Sequence, residues 1–303
     1  MLKSTLAKSS ENNYRRYYSN FLDYLAEIGV SVQECAIEHV LDFLAAFVEE
    51  NYAFSTVRTV SAAIKYYFER SGKESLFDCN PYFDFLRGAQ RLCPIPQKPV
   101  EIWNPLVVLA YVAAQPVPTD FLSAATEASL LIALATGFRV DCIWKLGKNV
   151  DFRADCVTVY FLEKRKCPVN KVYTASQSIK RYTPNKRICP VKALHRFVRF
   201  ANKIRHEGEL FLFVSSLGQR ASKATIRRWI CAILFSAGIT ASAGSCRSAT
   251  SSFAAFKGVP TDIILQSAGW SSECTFRRYY NRPVRSVAIN LYDFVSNEDL
   301  ESV

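Results

Sequence analysis

Histidine is scarce, with three in 303 residues, and methionine scarcer still, with one. The ten cysteines are scattered from Cys35 to Cys274 and contain no CxxC pair. A zinc site needs closely spaced Cys and His ligands, so no structural metal is expected. Scattered cysteines in a chain of this size point to a reducing compartment, where each packs as a small apolar residue. The sequence also lacks any uncharged apolar run of about 18 residues. The N-terminal MLKSTLAKSSENNYRR has no apolar core, and no GxxxxGKS phosphate loop is present. These absences argue against a membrane span, a secretory signal and nucleotide-driven chemistry. A soluble, intracellular protein without cofactor, membrane partner or small-molecule substrate is expected.

Acidic residues are thin where basic ones are dense. Residues 151–228 hold 18 Lys and Arg against 5 Asp and Glu, whereas residues 1–90 hold 9 against 12. Nearly all of the net +11 charge therefore sits in one stretch of the second half. A local excess of that size favours a polyanionic partner. The basic residues alternate with Val, Leu, Tyr and Phe, which indicates a folded basic face and not a charged tail.

The first 90 residues read as helical throughout. Tyr14, Tyr17, Tyr18, Phe21, Tyr24 and Leu25 recur at spacings of three and four, and Val40, Phe43, Leu44 and Phe47 repeat the pattern. A third helix, capped by Ser55 or Thr56, closes at Gly72, and a short fourth surrounds Tyr82–Ala89. This predicts a four-helix domain over 1–90. Four prolines in RLCPIPQKPVEIWNP place an extended linker at 91–104. The remainder, 105–303, reads as mixed: helices at 105–114, 120–136 and 138–146, then a small antiparallel sheet. That sheet is formed by VDFRADCVTVYFLEK with NKVYTA. Further helices follow at 189–205, 222–237, 247–257 and 260–268, with a last one at 284–295. The fold class is mainly α with one small antiparallel β-sheet.

Four short segments carry candidate chemistry. ATGFRVDCIWKL places Arg139 after a glycine turn at a helix start. FLEKRKCPV puts Lys164, Arg165 and Lys166 at a hairpin tip. GSCRSATSSFAAF opens a helix at Arg247, where a positive charge opposes the helix dipole and calls for a nearby anion. AGWSSECTFRRYYNRP sets Trp270 nine and ten residues before Tyr279 and Tyr280. Singly, each has an ordinary structural reading: an exposed charge, a solvated cluster, an aromatic core. Together they suit a phosphodiester site. Two guanidiniums clamp the phosphate oxygens, a lysine protonates the departing oxygen, an indole N–H donates, and a phenol attacks phosphorus.

In that order, behind a helical domain and linker, these residues resemble the tyrosine recombinases, the phage integrases and their relatives. Within them the chain is most similar to the DIRS and Crypton transposon recombinases. The phrases are ATGFRVD, ICPVKALHRF, ELFLFV, TIRRWICAILFSAGI and AGWSSECTFRRYYNRP, and the resemblance covers roughly residues 10 to 285. The resemblance implies an N-terminal core-binding (SAM-like) DNA-binding domain and a catalytic domain carrying a C-terminal tail that docks on a neighbouring subunit. It also implies a 3′-phosphotyrosine intermediate, no cofactor, and a dimer or tetramer on double-stranded DNA, in the nucleus if the host is eukaryotic. Carried over by position, Arg139 and Arg247 are the two catalytic arginines, Lys164 the lysine with Lys166 as the alternative, and Trp270 the His/Trp position. The wider family's spacing gives Tyr279 as nucleophile; the TFxxxY phrase of the transposon class gives Tyr280, which is preferred. Candidate phosphate contacts are Lys166, Arg181, Lys186, Arg187, Lys223, Arg227 and Arg228, with Arg58 and Lys65 on the first domain. One departure stands out: Gly244 occupies the position, three before Arg247, where the family usually has histidine. Ser245 or a water is the available substitute. A catalytically silent DNA-binding descendant is the alternative reading, and a helical protein-interaction scaffold the third.

Overall fold

The computed structural model describes residue 6 and residues 8–94, 102–164, 175–270 and 273–282. The chain divides into two compact units, Met1–Lys98 and Pro99–Val303.

The first unit is built from α1 (Lys8–Glu27), α2 (Ile37–Glu49), α3 (Phe54–Arg70) and α4 (Asn80–Leu92), with a 3-10 turn at Glu74–Phe77. The apolar stripe of α1 is what the sequence spacing requires: Phe21 and Leu25 are fully buried against Val57, Ile64 and Phe68 of α3. Tyr18 stacks on Tyr67 with ring centroids 4.3 Å apart, so the tyrosines of the stripe seal the α1–α3 seam. Neither Ser55 nor Thr56 caps α3. The N-cap is Ala53 without a side-chain bond, and Phe54, packed on the core, starts the helix earlier. α4 likewise runs beyond residue 90.

The second unit is arranged around α6 (Phe121–Thr136). This helix is buried nearly all round, through Ala124, Ala125, Ala128, Leu130, Leu131 and Ile132. It is preceded by α5 (Pro105–Ala114) and followed by α7 (Val140–Trp144). Asp120 caps α6, accepting from the Ser123 hydroxyl at 2.6 Å and the Ser123 N–H at 3.0 Å, and these bonds hold its carboxyl below the usual range. Strands β1 (Leu146–Phe152), β2 (Cys156–Phe161) and β3 (Ser176–Lys180) form an antiparallel sheet in the order β1-β2-β3. Val157 pairs with Ile179 and with Phe152 across the ladder, and Val157 and Val159 bury the inner face. The third strand is SQSIK, downstream of the expected NKVYTA, most of which lies outside the described residues. Helices α8 (Pro190–Ile204), α9 (Lys223–Ser236) and α10 (Ser245–Phe256) pack on α6. Then come α11 (Thr261–Ala268) and α12 (Glu273–Tyr279). The expected helix at 284–295 falls outside the described residues.

The segment expected to be linker is anchored at its far end. Ile102 and Trp103 are buried in the core of the second unit, and the Trp103 indole N–H donates to Ser245 Oγ at 2.8 Å. An apolar residue and an indole with a hydrogen-bond partner were available, so burial outweighed the proline signal. Among the described residues no helix is long and apolar enough to cross a membrane.

Candidate active site

The site is built where four helix ends meet. α6 stops at Gly137, which takes the left-handed conformation at φ 62°. A Cβ there would lie 3.4 Å from Ala268 Cβ, so glycine serves both the turn and the close approach of α11. Two residues on, Arg139 is the N-cap of α7, half-buried, with extended backbone.

Arg247 lies in the first turn of α10 and is 3% exposed. Its Nη1 donates to the carbonyls of Gly137 and Ala268, both at 2.6 Å. These carbonyls end α6 and α11, where the helix dipoles are negative. The compensation expected from a nearby anion is thus supplied in part by two helix C-termini. The guanidinium carbon lies 3.9 Å from the centre of the Trp270 ring and 5.5 Å from that of Tyr280. Trp270 and Tyr280 pack with centroids 4.6 Å apart. Trp270 is 4% exposed, and its indole N–H is buried without a hydrogen-bond partner among the described residues. A buried, unmatched donor beside a guanidinium and a phenol is an arrangement that an anion completes.

Lys164 is exposed, three residues past the end of β2. Its carbonyl accepts from Lys145 Nζ at 2.7 Å, at the C-cap of α7, while Phe138 packs edge-on against Phe161 at 5.5 Å. The strand exit is therefore joined to the element that carries Arg139. Lys166 lies outside the described residues, as does the side chain of Tyr279. Asp141 ties α7 to α9. Burial works to raise its carboxyl, but hydrogen bonds from Lys223 and Lys145 outweigh this and hold it below the usual range.

Gly244 is the N-cap of α10 at φ −66°. A Cβ there would meet only Ser242 Oγ, at 3.8 Å, so the backbone admits a side chain. Ser245 is not available as the substitute: its hydroxyl accepts from Trp103 and donates to the Ser242 carbonyl at 2.6 Å. The three histidines are placed elsewhere. The Ala36 N–H donates to His39 Nδ1 at the start of α2, His195 packs on Phe152, and His206 adjoins Gly218. Cys246, beside Arg247, is no rival nucleophile, since burial pushes its thiol up to about 12. Among the described residues no group of His, Cys, Asp or Glu is placed to hold a metal.

The basic candidates divide. Lys186, Arg227, Arg228 and Arg58 are exposed. Arg181 is half-buried and donates to the carbonyls of Ala154 and Arg153, at 2.7 and 3.2 Å. Lys65 lies 3.9 Å from both Glu69 and Asp78, and Lys223 pairs with Asp141. Arg187 corrects the surface expectation. Its Nη1 lies 2.6 Å from Glu127 Oε2, close but not aligned as a hydrogen bond, and it donates to the carbonyls of Gln115 and Pro116 at 2.9 Å. Glu127 is 3% exposed and also takes Arg196 at 2.6 Å. A buried carboxylate needs such partners, and that recruits Arg187 inward. Sequence reading missed Glu127, Arg196, Lys145 and Arg220, because the contacts that join Lys145 to Lys164, Arg196 to Glu127 and Arg220 to Trp144 cross 19, 69 and 76 residues.

Against known proteins, residues 110–284 match the model of the phage integrase family, more than half of the chain. No curated protein matches. Solved structures match over nearly the whole chain. A lambda integrase dimer bound to a COC′ core site is 14% identical with a TM-score of 0.62, covering 94% of this chain and 75% of that one. The XerH site-specific recombinase bound to a palindromic difH substrate, in its post-cleavage complex, is 14% identical with a TM-score of 0.64, covering 88% and 75%. The Tn1549 transposon integrase in complex with transposon right-end DNA is 12% identical with a TM-score of 0.62, covering 99% and 93%. At these identities the structures establish the tyrosine recombinase fold, and the family match establishes the rest: the chain belongs to the phage integrase family.

Proposed function

We propose that this protein is a site-specific DNA recombinase that cuts and rejoins duplex DNA through a 3′-phosphotyrosine intermediate, on behalf of a transposable element of the DIRS or Crypton type. The observation that carries the reading is the buried Arg247 guanidinium packed on Trp270, whose indole N–H lacks a partner among the described residues, with Tyr280 against the same ring. In the reaction the phenolic oxygen forms a bond to phosphorus and the P–O5′ bond breaks. The phenolic proton passes to solvent, and the 5′ oxygen takes a proton from the Lys164 ammonium. Arg139, Arg247 and Trp270 donate to the non-bridging oxygens as charge builds on them. Lys166 remains the alternative to Lys164. The first unit would be the core-binding domain, and the VRSVAINLYDFV tail would dock on a neighbouring subunit of a dimer or tetramer or on its own domain. A eukaryotic host would place the protein in the nucleus.

Covalent trapping tests the reading. The protein is incubated with nicked or half-site DNA from its element's ends, then denatured and run on a gel; a DNA-shifted protein band is expected. Gly244 favours a second reading, a descendant that binds DNA without cutting it, because glycine offers the phosphate no side chain. Salt-sensitive binding of the same DNA with no adduct would select it.

Two predictions separate structural from functional basic and glycine positions. Arg187→Ala is expected to lower unfolding free energy by about 2–3 kcal/mol, since it strips one partner from buried Glu127. It should leave the salt dependence of DNA affinity unchanged. Arg227→Ala should do the reverse, reducing the salt slope by about 1 without a change in stability. Urea unfolding and DNA titration at several salt concentrations check both. Gly244→His is expected to raise the rate of adduct formation by about 10²-fold, by restoring one donor to the transition state. Single-turnover trapping measures it, and an unchanged rate would show that the position no longer faces the phosphate.

A further inference from the structure

Among the described basic residues outside the site, Arg220 is held on several sides, and no sequence motif marks it. It closes a tight hairpin in which Val214 bridges Arg220. The turn depends on Gly218, at φ 75°, where a Cβ would fall 2.0 Å from the Ile204 carbonyl oxygen. The Arg220 N–H donates to Glu209 Oε2 at 2.8 Å, so backbone and turn together fix where its side chain starts.

The guanidinium lies between two rings. Its central carbon is 3.2 Å from the centroids of both Trp144 and Phe211, which face each other 6.3 Å apart at 14°. A planar cation fills such a slot, and an ammonium does not. At the rim, Nη1 donates to Glu163 Oε1 at 2.9 Å and Nη2 to the Trp144 carbonyl at 3.0 Å. Both acceptors adjoin the proposed machinery: Glu163 immediately precedes Lys164, and Trp144 ends α7, whose N-cap is Arg139. Lys145 completes the grip. Its carbonyl accepts from the Leu162 N–H at 3.0 Å and its ammonium donates to the Lys164 carbonyl at 2.7 Å. Residues 162–164 are therefore fastened to the C-terminal end of α7 from both sides.

We propose that Arg220 is a positioning residue for strand cleavage: wedged between Trp144 and Phe211, it holds Glu163 and the end of α7 together and so sets Lys164 at the leaving oxygen. This rests on the recombinase reading above. It also assigns a function to a salt bridge that would otherwise count as a fold clamp.

The test uses the nature of the leaving group. Cleavage is followed by single-turnover trapping on half-site DNA in two forms, one ordinary and one with sulfur replacing the 5′ bridging oxygen at the scissile phosphate, as mapped from the wild-type adduct. A thiolate departs without taking a proton, so a defect that acts through Lys164 disappears on the sulfur substrate. Arg220→Gln is expected to slow cleavage of ordinary DNA by about 10²-fold, the effect of a misplaced catalytic group. On the sulfur substrate it should return to near the wild-type rate, as should Lys164→Ala. Arg220→Lys should resemble Arg220→Gln. If Arg220→Gln does not fold, Glu163→Gln carries the same comparison from a partly exposed position. Equal slowing on both substrates, or slowing on neither, would overturn the assignment. An inert wild-type protein on both substrates would instead sink the recombinase reading, and this inference with it.

Discussion

Arg247→Lys is expected to reduce the rate of covalent adduct formation by about 10³-fold or more, close to 4 kcal/mol of transition-state stabilisation. Binding of the same DNA should change little, because exposed basic residues supply most of the affinity. The reason lies in how the guanidinium is divided. Nη1 is committed to the carbonyls of Gly137 and Ala268, which fixes the plane of the group and joins the turn leading to Arg139 to the helix leading to Trp270. A lysine ammonium that reached the same carbonyls would have no planar fork left to present to a phosphate. Arg247→Leu separates the two contributions. It leaves two buried carbonyls without their donor, at about 1–3 kcal/mol each, so it should lower the unfolding midpoint as well as abolish the adduct. Unfolding curves recorded beside single-turnover kinetics make the distinction. An Arg247→Lys protein that cleaves within tenfold of wild type would remove Arg247 from the proposed mechanism.

The same geometry explains what was legible in the sequence. Amphipathic stripes such as Phe21–Leu25 in α1 and Val40–Leu44 in α2 fold as their spacing dictates, because burying one apolar face needs no particular partner. The alternation of Val157 and Val159 in β2 is read equally directly. The motif residues were legible as a set: Gly137, Arg247, Trp270 and Tyr280 come together through bonds and ring contacts that span 110 residues. What the sequence could not reveal is the partner of each charge. Arg187 and Arg227 look alike in a basic stretch, yet a buried carboxylate, Glu127, draws one inward and leaves the other exposed. Arg220 stands alone in its segment, and only the fold brings Trp144, Phe211 and Glu163 around it. Ser245 looked free beside Gly244, and its commitment to Trp103 depends on the segment after the prolines turning into the core. Pairings of this kind are set by tertiary approach, which carries no local period.

Tyr280→Phe is expected to abolish the covalent adduct entirely, while Tyr279→Phe retains it. Loss of the attacking oxygen leaves no group to hold phosphorus, so the effect is not a slower rate but the absence of the product. The structure bears on the choice through Trp270. The Tyr280 ring packs on it at 4.6 Å and lies 5.5 Å from the Arg247 guanidinium, within the neighbourhood in which the proposed phosphate contacts converge. Its backbone is held on two sides: the N–H donates to the Phe276 carbonyl at 2.8 Å, and its carbonyl accepts from Ser252 on α10, the helix that carries Arg247. A nucleophile must be kept within about 3–3.5 Å of phosphorus in line with the leaving oxygen. A residue tied to the arginine's own helix satisfies that demand with little further ordering. Both variants are trapped with the same half-site DNA under conditions where the wild type gives a shifted band, and both are titrated with DNA to show that binding persists. A band lost in Tyr279→Phe and kept in Tyr280→Phe would transfer the role to Tyr279. In that case Tyr280 would be the packing partner that orients Trp270.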